Sequence, residues 1–358
     1  FSHTCVMVTP YDSSVELAER LNQLAPGPSP KKTIFVTTGA EAVENSVKIA
    51  RAHTGRRSVV SFSGGFHGRT YFAMGLTGKM SPYKQKFGPF PGGIYHLPFP
   101  NTYHGVAVSE SIGAMHQLLT TSVEADDIAA IIVEPVQGEG GFYPAPSEFL
   151  VALREFCDTH SIVLIVDEIQ TGMARTGRMF CSEYSGIEPD LMPVAKGLAG
   201  GFPLAAVVGK AEIMDAPLPG GLGGTYAGSQ IGCAAALAVI EVIEKENLLR
   251  CATELGRQFG DRLTQIKLRF PDVIGDVRAE HGAMIAVELV LNGDADQPAV
   301  DITGRLVKTC SKLGLIILSC GIRGNVIRFL PALTIDEELV NEGLNIFEEA
   351  LEQVVINA

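Results

Sequence analysis

The sequence lacks the features that mark several large classes of protein. Its seven cysteines are scattered and contain no C-x-x-C pair, so they form neither a disulfide framework nor a zinc site. No pair of histidines has metal-ligand spacing, and we expect no metal. The net charge is −12 and Lys and Arg form only short pairs, which argues against a nucleic-acid surface. We therefore expect small-molecule ligands.

Long apolar runs are also absent. No run approaches the length that crosses a bilayer, so we expect no membrane partner. The first residues, FSHTC, lack the basic and apolar segments of a secretory leader and lack an initiator methionine, so we expect the natural chain to begin before Phe1. Scattered cysteines suit a reducing compartment, which favours a cytoplasmic location.

The order of the apolar segments predicts an α/β fold. From about residue 33 to residue 210, short β-rich runs alternate with helical patterns, which is typical of a mostly parallel central sheet. The clearest strands are continuous apolar runs, as expected for strands covered on both faces: 33–37, 129–133, 162–166 and 204–208.

The remainder of the chain predicts a second, smaller domain. Residues 211–228 are rich in Gly and Pro and predict a loop, which an Ala-rich helix follows from about residue 231 to residue 245. Helical and strand patterns then alternate to the end of the chain. We therefore expect a large domain at residues 1–245 and a smaller α+β domain at residues 246–358.

Three of the predicted strands end in polar residues, namely Thr38-Gly39, Glu134-Pro135 and Asp167-Glu168. Ligands of open α/β sheets lie beyond the carboxyl ends of the strands, so we expect these ends to share one site. At Gly39 and Ala40, a tight strand-to-helix turn offers backbone N–H donors to a phosphate. The same turn is also found in ordinary βα connections.

A lysine and an aspartate together indicate a cofactor. Pyridoxal phosphate needs a lysine amine to bind its aldehyde carbon and a carboxylate to face its pyridine nitrogen. Asp167 follows a predicted strand, and Lys196 lies in the Gly-rich turn AKGLAGG. Either residue alone is as easily a capping aspartate or a solvated lysine. Together, in this Gly-rich context, they favour pyridoxal phosphate.

Further candidates lie in Gly-rich segments. In GGFHGRT, Phe66 can stack on a flat ring and Arg69 can bind a carboxylate, although core packing and solvation are the simpler interpretations. Thr225 offers a hydroxyl from the 211–228 loop. Glu139 lies in the run EPVQGEGG and Arg328 in a predicted strand, and their spacing alone does not establish an ion pair.

The motifs TGAEAVE, FHGRT, EPVQGEGG, VDEIQTGMARTG, AKGLAGGFPL and GGTYAG resemble those of the class III (omega) aminotransferases, most like the 4-aminobutyrate aminotransferase subgroup. The resemblance extends from Ser2 to about Leu351. It implies a pyridoxal-phosphate fold type I enzyme, active as a homodimer or a dimer of dimers with shared active sites.

The resemblance also implies roles for single residues. Lys196 is the Schiff-base lysine and Asp167 the partner of the pyridine nitrogen. The remaining cofactor contacts are implied for Gln170 near the ring hydroxyl, Phe66 on the ring, Gly39 and Ala40 at the phosphate, and Thr225 at the phosphate of the neighbouring subunit's cofactor. Ala40 stands where relatives often have serine.

Substrate binding is implied for three residues. Arg69 holds the distal carboxylate, Arg328 holds the α-carboxylate of glutamate or 2-oxoglutarate, and Glu139 neutralises Arg328 when the substrate has no α-carboxylate. The implied reaction is ping-pong transfer of the amino group of 4-aminobutyrate to 2-oxoglutarate, giving succinate semialdehyde and glutamate.

Other functions remain open at this point. The chain can be a transaminase for another ω-amino acid or amine, such as 5-aminovalerate or a substrate of the acetylornithine and ornithine type. A catalytically silent protein of the same fold has no need of the lysine, the aspartate and both arginines. A nicotinamide dehydrogenase is disfavoured because no G-x-G-x-x-G opens a helix after the first strand.

Overall fold

The computed structural model describes residues 2–356. Its helices are α1 (Asp12–Leu24), α2 (Gly39–Thr54), α3 (Tyr71–Leu76), α4 (Val108–Thr121), α5 (Gly138–Gly141), α6 (Ser147–His160), α7 (Ala211–Met214), α8 (Gln230–Lys245), α9 (Leu248–Arg269), α10 (Val300–Lys312) and α11 (Glu337–Ile356). Its strands are β1 (Lys31–Val36), β2 (Ser58–Phe62), β3 (Ile94–Leu97), β4 (Ile128–Val133), β5 (Val136–Gln137), β6 (Tyr143–Pro144), β7 (Val163–Val166), β8 (Leu191–Val194), β9 (Ala205–Lys210), β10 (Ile274–Arg278), β11 (Ile285–Leu291), β12 (Asp294–Pro298), β13 (Leu318–Cys320) and β14 (Val326–Phe329).

A seven-stranded sheet with the order β1-β9-β8-β7-β4-β2-β3 forms the centre of the molecule. Strand β9 is antiparallel to both of its neighbours, and every other pair of neighbours is parallel. The predicted α/β class with a mostly parallel sheet is therefore confirmed. Because β1, β8, β7 and β4 run in the same direction, their carboxyl ends lie along one edge of the sheet.

Helices cover both faces of this sheet. Val43 and Val47 of α2 are buried against one face. Phe149 and Leu153 of α6 are fully buried against the other. Since apolar residues meet the sheet from both sides, the central strands are apolar at every position, as in β4, where all six residues are buried.

The four predicted strands match β1, β4, β7 and β9 to within two residues. Strands β2, β3 and β8 were not predicted. Strand β8 contains Pro193, which removes a backbone donor and weakens a strand prediction. The prediction of a loop at 211–228 is wrong for its first four residues, because residues 211–214 form α7. Ile213 of α7 packs into the core beside the sheet.

A second, antiparallel sheet has the order β10-β11-β14-β13, with β12 paired to β11. Helices α9, α10 and α11 supply its core, in which Phe259, Leu306 and Phe347 are buried. The buried members of this core run from Ala252 to Val354. The domain boundary at residue 245 stays a prediction.

Within residues 2–356, no helix is both long enough and apolar enough to cross a membrane.

Candidate active site

A cavity of about 420 Å³ lies at the carboxyl ends of β1, β7 and β8. Six residues that the sequence singled out line it: Gly39, Ala40, Phe66, Asp167, Gln170 and Lys196. Residues from distant parts of the chain meet here because parallel strands end at the same edge of the sheet.

Lys196 follows β8, at the start of a single turn of 3-10 helix that spans Lys196–Ala199. Its φ of +45° places a residue with a side chain in the left-handed region. The residue is exposed towards the open cavity, but protein atoms surround its amine. Burial of the amine lowers its pKa, and the negative charges of Asp167 and Glu134 only partly oppose this effect. A lowered pKa increases the neutral fraction of the amine, which is the form that attacks a carbonyl or accepts a proton.

Asp167 follows β7 and is 3% exposed. Its Oδ2 atom lies 2.8 Å from Nδ1 of His67, and its Oδ1 atom accepts a hydrogen bond of 3.1 Å from the Ile169 amide. Burial opposes protonation of His67, but the hydrogen bond and charge of Asp167 prevail, and the pKa of the imidazole is raised. The imidazole therefore compensates the buried carboxylate and fixes its orientation in the cavity wall.

The amino end of α2 forms a second part of the cavity wall. The Thr38 side chain accepts a hydrogen bond from the Glu41 amide, and the Glu41 carboxylate accepts hydrogen bonds from the amides of Thr37 and Thr38. The Gly39 and Ala40 amides belong to the first turn, whose N–H groups have no acceptor within the helix. They are consequently available to an anion, which the helix dipole also favours.

Close packing around this turn leaves no room for larger side chains. A Cβ atom at Gly68, where φ is +129°, would lie 2.7 Å from Cβ of Ala40. A Cβ atom at Gly39 would lie 3.0 Å from Cδ1 of Ile169. The backbone therefore stays accessible from the cavity.

Gln170 and Phe66 complete the cavity. Oε1 of Gln170 is buried and has no hydrogen-bond partner within the part of the chain that the structure describes. The Phe66 ring is half-buried and also lines the cavity. An amine, an oriented carboxylate, an anion-binding turn, an aromatic ring and an unpartnered amide oxygen fit the functional groups of pyridoxal phosphate.

A second group of polar residues lies outside the cavity lining, around Glu139 in α5. Oε1 of Glu139 lies 2.5 Å from Nη1 of Arg328 in β14, and Oε2 accepts a hydrogen bond of 2.6 Å from the Tyr83 hydroxyl. The two charged side chains are 19% and 14% exposed. Burial would raise the pKa of Glu139, but the hydrogen bonds from Tyr83 and Arg328 outweigh it and the pKa is lowered. Glu139 is therefore ionised at neutral pH.

Arg69 joins the two groups. It is exposed, and its guanidinium carbon lies 4.9 Å from the ring centroid of Tyr83 and 5.8 Å from that of Phe66. The Phe66 and Tyr83 ring centroids are themselves 4.9 Å apart. The three predicted substrate-binding residues thus lie around Tyr83, next to the ring that lines the cavity.

Thr225 is the one predicted site residue that lies near neither group. It is exposed in the loop before α8 and does not line the cavity of its own chain. Its assignment to a neighbouring subunit's cofactor stays a prediction.

The sequence placed Glu134 among the strand ends expected at the site but gave it no role, and it missed Tyr83. Glu134 is 7% exposed and accepts hydrogen bonds of 2.8 Å from the Phe66 amide and 3.0 Å from the Gly138 amide. Burial raises the pKa of its carboxyl to about 7. Its position at the end of a predicted strand was the available signal. Tyr83 lies in the segment SPYKQKFGP, which carries no such signal.

Comparison with known proteins identifies the family. The family model for aminotransferase class III matches residues 1–351. The chain belongs to the class III aminotransferases. The resemblance found in the sequence motifs is therefore confirmed, and so is the fold type that it implied. Since enzymes of this family depend on pyridoxal phosphate, the predicted cofactor is confirmed as well.

Curated relatives narrow the activity to ω-amino acid transamination. The 5-aminovalerate aminotransferase of Pseudomonas putida KT2440 is 52% identical over 353 residues, which are 99% of this chain and 82% of that protein. The 4-aminobutyrate aminotransferase of Escherichia coli K12 is 49% identical over 352 residues, 98% of this chain and 82% of that protein. The chain is thus a pyridoxal-phosphate-dependent ω-amino acid transaminase that acts on amino and keto acids.

Solved structures have the same fold. A transaminase from the marine bacterium Virgibacillus matches with a TM-score of 0.92 at 26% identity, over 99% of this chain and 82% of that one. An amine transaminase from an uncultivated Pseudomonas species, in its cofactor-bound form, matches with a TM-score of 0.86 at 30% identity, over 96% of this chain and 82% of that one.

Proposed function

We propose that this transaminase transfers the amino group of 4-aminobutyrate to 2-oxoglutarate in a ping-pong reaction, giving succinate semialdehyde and glutamate. The ion pair of Glu139 and Arg328 carries the proposal. An arginine that already has a carboxylate partner suits a donor without an α-carboxylate, and the same arginine can bind an acceptor that has one.

Pyridoxal phosphate, when bound, supplies the electron sink that stabilises negative charge on the substrate carbon. We assign its ring nitrogen to Asp167, its phosphate to the amides of Gly39 and Ala40, and its ring face to Phe66. Gln170 offers its unpartnered oxygen to the ring hydroxyl. Lys196 would hold the cofactor covalently, and its amine is the group that would carry the proton at the substrate carbon.

Two arginines select the substrate. Arg69 is exposed beside the Phe66 ring, where it can bind the distal carboxylate that both 4-aminobutyrate and 2-oxoglutarate carry. Arg328 is assigned to the α-carboxylate, which only the second substrate has. Each substrate therefore uses a different combination of the same residues.

The second candidate donor is 5-aminovalerate. It also lacks an α-carboxylate, and it is one methylene longer than 4-aminobutyrate. A relative named for it is 52% identical to this chain, and a relative named for 4-aminobutyrate is 49% identical. One methylene changes binding by about 1–3 kcal/mol in a fitted pocket, so kinetics can separate the two donors.

The test follows the cofactor spectrum of purified holoenzyme after each donor is added without a keto acid. We expect conversion with 4-aminobutyrate at a higher kcat/KM than with 5-aminovalerate, ornithine or acetylornithine. A higher kcat/KM with 5-aminovalerate would reassign the donor. Faster conversion with ornithine or acetylornithine would overturn the proposal, as would no conversion with any donor.

Thr225 further motivates the proposal of a homodimer or dimer of dimers with shared active sites. The residue is exposed and outside its own chain's cavity, so its hydroxyl can serve the cofactor of a second copy. Light scattering gives the number of copies. In a mixed dimer, a Thr225→Ala chain should weaken phosphate binding in the site that contains the other chain's Lys196.

A further inference from the structure

Tyr83 is the residue on which the substrate-binding side chains converge. It is 7% exposed, and its hydroxyl donates to Oε2 of Glu139 over 2.6 Å. Its ring faces the Arg69 guanidinium at 4.9 Å and lies 4.9 Å from the Phe66 ring. Burial, reinforced by the hydrogen bond to Glu139, raises the pKa of its hydroxyl. The hydroxyl is therefore a permanent donor at neutral pH.

The Glu139 carboxylate is held at both of its oxygens. Oε1 lies 2.5 Å from Arg328, and Oε2 lies 2.6 Å from the Tyr83 hydroxyl. A carboxylate is a rigid planar group, so a rotation that withdraws one oxygen also moves the other. Displacing Glu139 from Arg328 therefore breaks the Tyr83 hydrogen bond as well.

The backbone of Glu139 is fixed independently of its side chain. The Gly321 amide donates to the Glu139 carbonyl over 3.1 Å, and the Lys79 amine donates to the Gly321 carbonyl over 2.7 Å. Displacement of Glu139 from Arg328 is thus expected in its side chain, whose hydrogen-bond partners among residues 2–356 are Arg328 and Tyr83.

We propose that Tyr83 is a specificity-determining residue, whose hydroxyl holds Glu139 on Arg328 and thereby sets the preference of the site between substrates with and without an α-carboxylate. This inference rests on the proposed function, because it needs Arg328 to receive an α-carboxylate. The hydroxyl stabilises the paired state, which donors without an α-carboxylate use. It opposes the displaced state, which glutamate and 2-oxoglutarate require.

The test compares Tyr83→Phe holoenzyme with wild type in both half-reactions, followed by the cofactor spectrum. We expect KM for glutamate to fall and KM for 4-aminobutyrate to rise, so that the ratio of their kcat/KM values changes roughly tenfold, as for one hydrogen bond to a charged group. Calorimetry of 2-oxoglutarate binding to the resting enzyme should show tightening by a similar factor. The ring and its contact with Arg69 remain in this variant.

Three comparisons make the result specific. Tyr95→Phe, in β3, removes a hydroxyl that donates to the Ser122 carbonyl and not to Glu139, and it should leave the ratio unchanged. Tyr83→Leu also lacks the hydroxyl and is measured beside Tyr83→Phe, so that the test does not depend on one variant folding. In a Glu139→Ala background, Tyr83→Phe should no longer change the ratio, because the hydroxyl acts through Glu139.

The outcomes separate this inference from the proposed function. Equal changes for both substrates in Tyr83→Phe, or an unchanged ratio, would overturn the role of Tyr83 while leaving the transaminase assignment intact. A tenfold change that persists without Glu139 would also overturn it. If wild type converts no donor that lacks an α-carboxylate, the proposed function fails first.

Discussion

Oε1 of Glu139 and Nη1 of Arg328 lie 2.5 Å apart although 189 positions separate the two residues in the chain. Glu139 lies in α5, which comes after β4 of the central sheet, and Arg328 lies in β14 of the second sheet. Their ion pair therefore joins the two sheets beside the cavity. Both side chains are largely buried, which makes the loss of either partner costly to the other.

Glu139→Ala should slow the 4-aminobutyrate half-reaction at least about tenfold without slowing the glutamate half-reaction, because Arg328 then faces a donor without any partner. Arg328→Ala should mainly impair the glutamate side. The measurement is the rate of each half-reaction in both variants. Equal losses on the two sides in Glu139→Ala would leave Glu139 with a structural role only.

Lys196→Ala should retain pyridoxal phosphate through the phosphate turn and the ring contacts while losing transamination by at least about a thousandfold, since no other side chain takes over proton transfer at that carbon. Absorbance of the purified variant reports the bound cofactor, and product formation reports turnover. Near wild-type turnover with several donors would show that the lysine is misassigned.

Asp167→Asn should slow proton abstraction far more than it weakens cofactor binding. The uncharged amide no longer favours a protonated ring nitrogen, and this matters most where negative charge develops in the transition state. Single-turnover kinetics with deuterated donor measures the step. An unchanged rate of that step would contradict the role of Asp167.

The buried carboxyl of Glu134 should make stability depend on pH. Its pKa of about 7 in the folded protein lies above the ordinary 4.5, so the folded state binds the proton more tightly than the unfolded state does. Its contribution to the free energy of unfolding should therefore fall by about 3 kcal/mol as pH rises from about 4.5 through 7. Glu134→Gln lacks this ionisation. Urea unfolding of both proteins at pH 5 and 7.5 should show wild type losing stability relative to the variant; a constant difference would contradict the assignment.

Two glycines provide a matched test of the phosphate turn. Gly68→Ala should destabilise the protein and weaken cofactor binding, because its φ is +129° and the new Cβ would lie 2.7 Å from Cβ of Ala40. Gly113→Ala in α4 meets no atom within 4 Å and should stabilise the protein by about 0.5–1 kcal/mol. Thermal unfolding and cofactor titration measure both effects. A stable Gly68→Ala variant with unchanged affinity would contradict the packing argument.

The sequence predicted the cavity better than its surroundings. Gly39 and Asp167 could be placed together because parallel strands end at one edge of a sheet, a rule that needs no tertiary contact to apply. Lys196 was linked to Asp167 only by the chemistry of the cofactor, since β8 was not predicted. Tyr83 could not be placed, since its loop lies against Glu139 only through tertiary packing. Strand β12, DADQP, has no apolar alternation and forms by pairing with β11.

The left-handed backbone of Lys196 has a consequence for the evolution and engineering of this enzyme. A non-glycine residue at a φ of +45° costs on the order of 1 kcal/mol, and the surrounding fold must supply that energy. Lys196→Gly should consequently unfold at a higher temperature than Lys196→Ala, although both lack activity. Selection for thermal robustness alone would favour glycine here, so retention of lysine reflects a trade of stability for catalysis at this position.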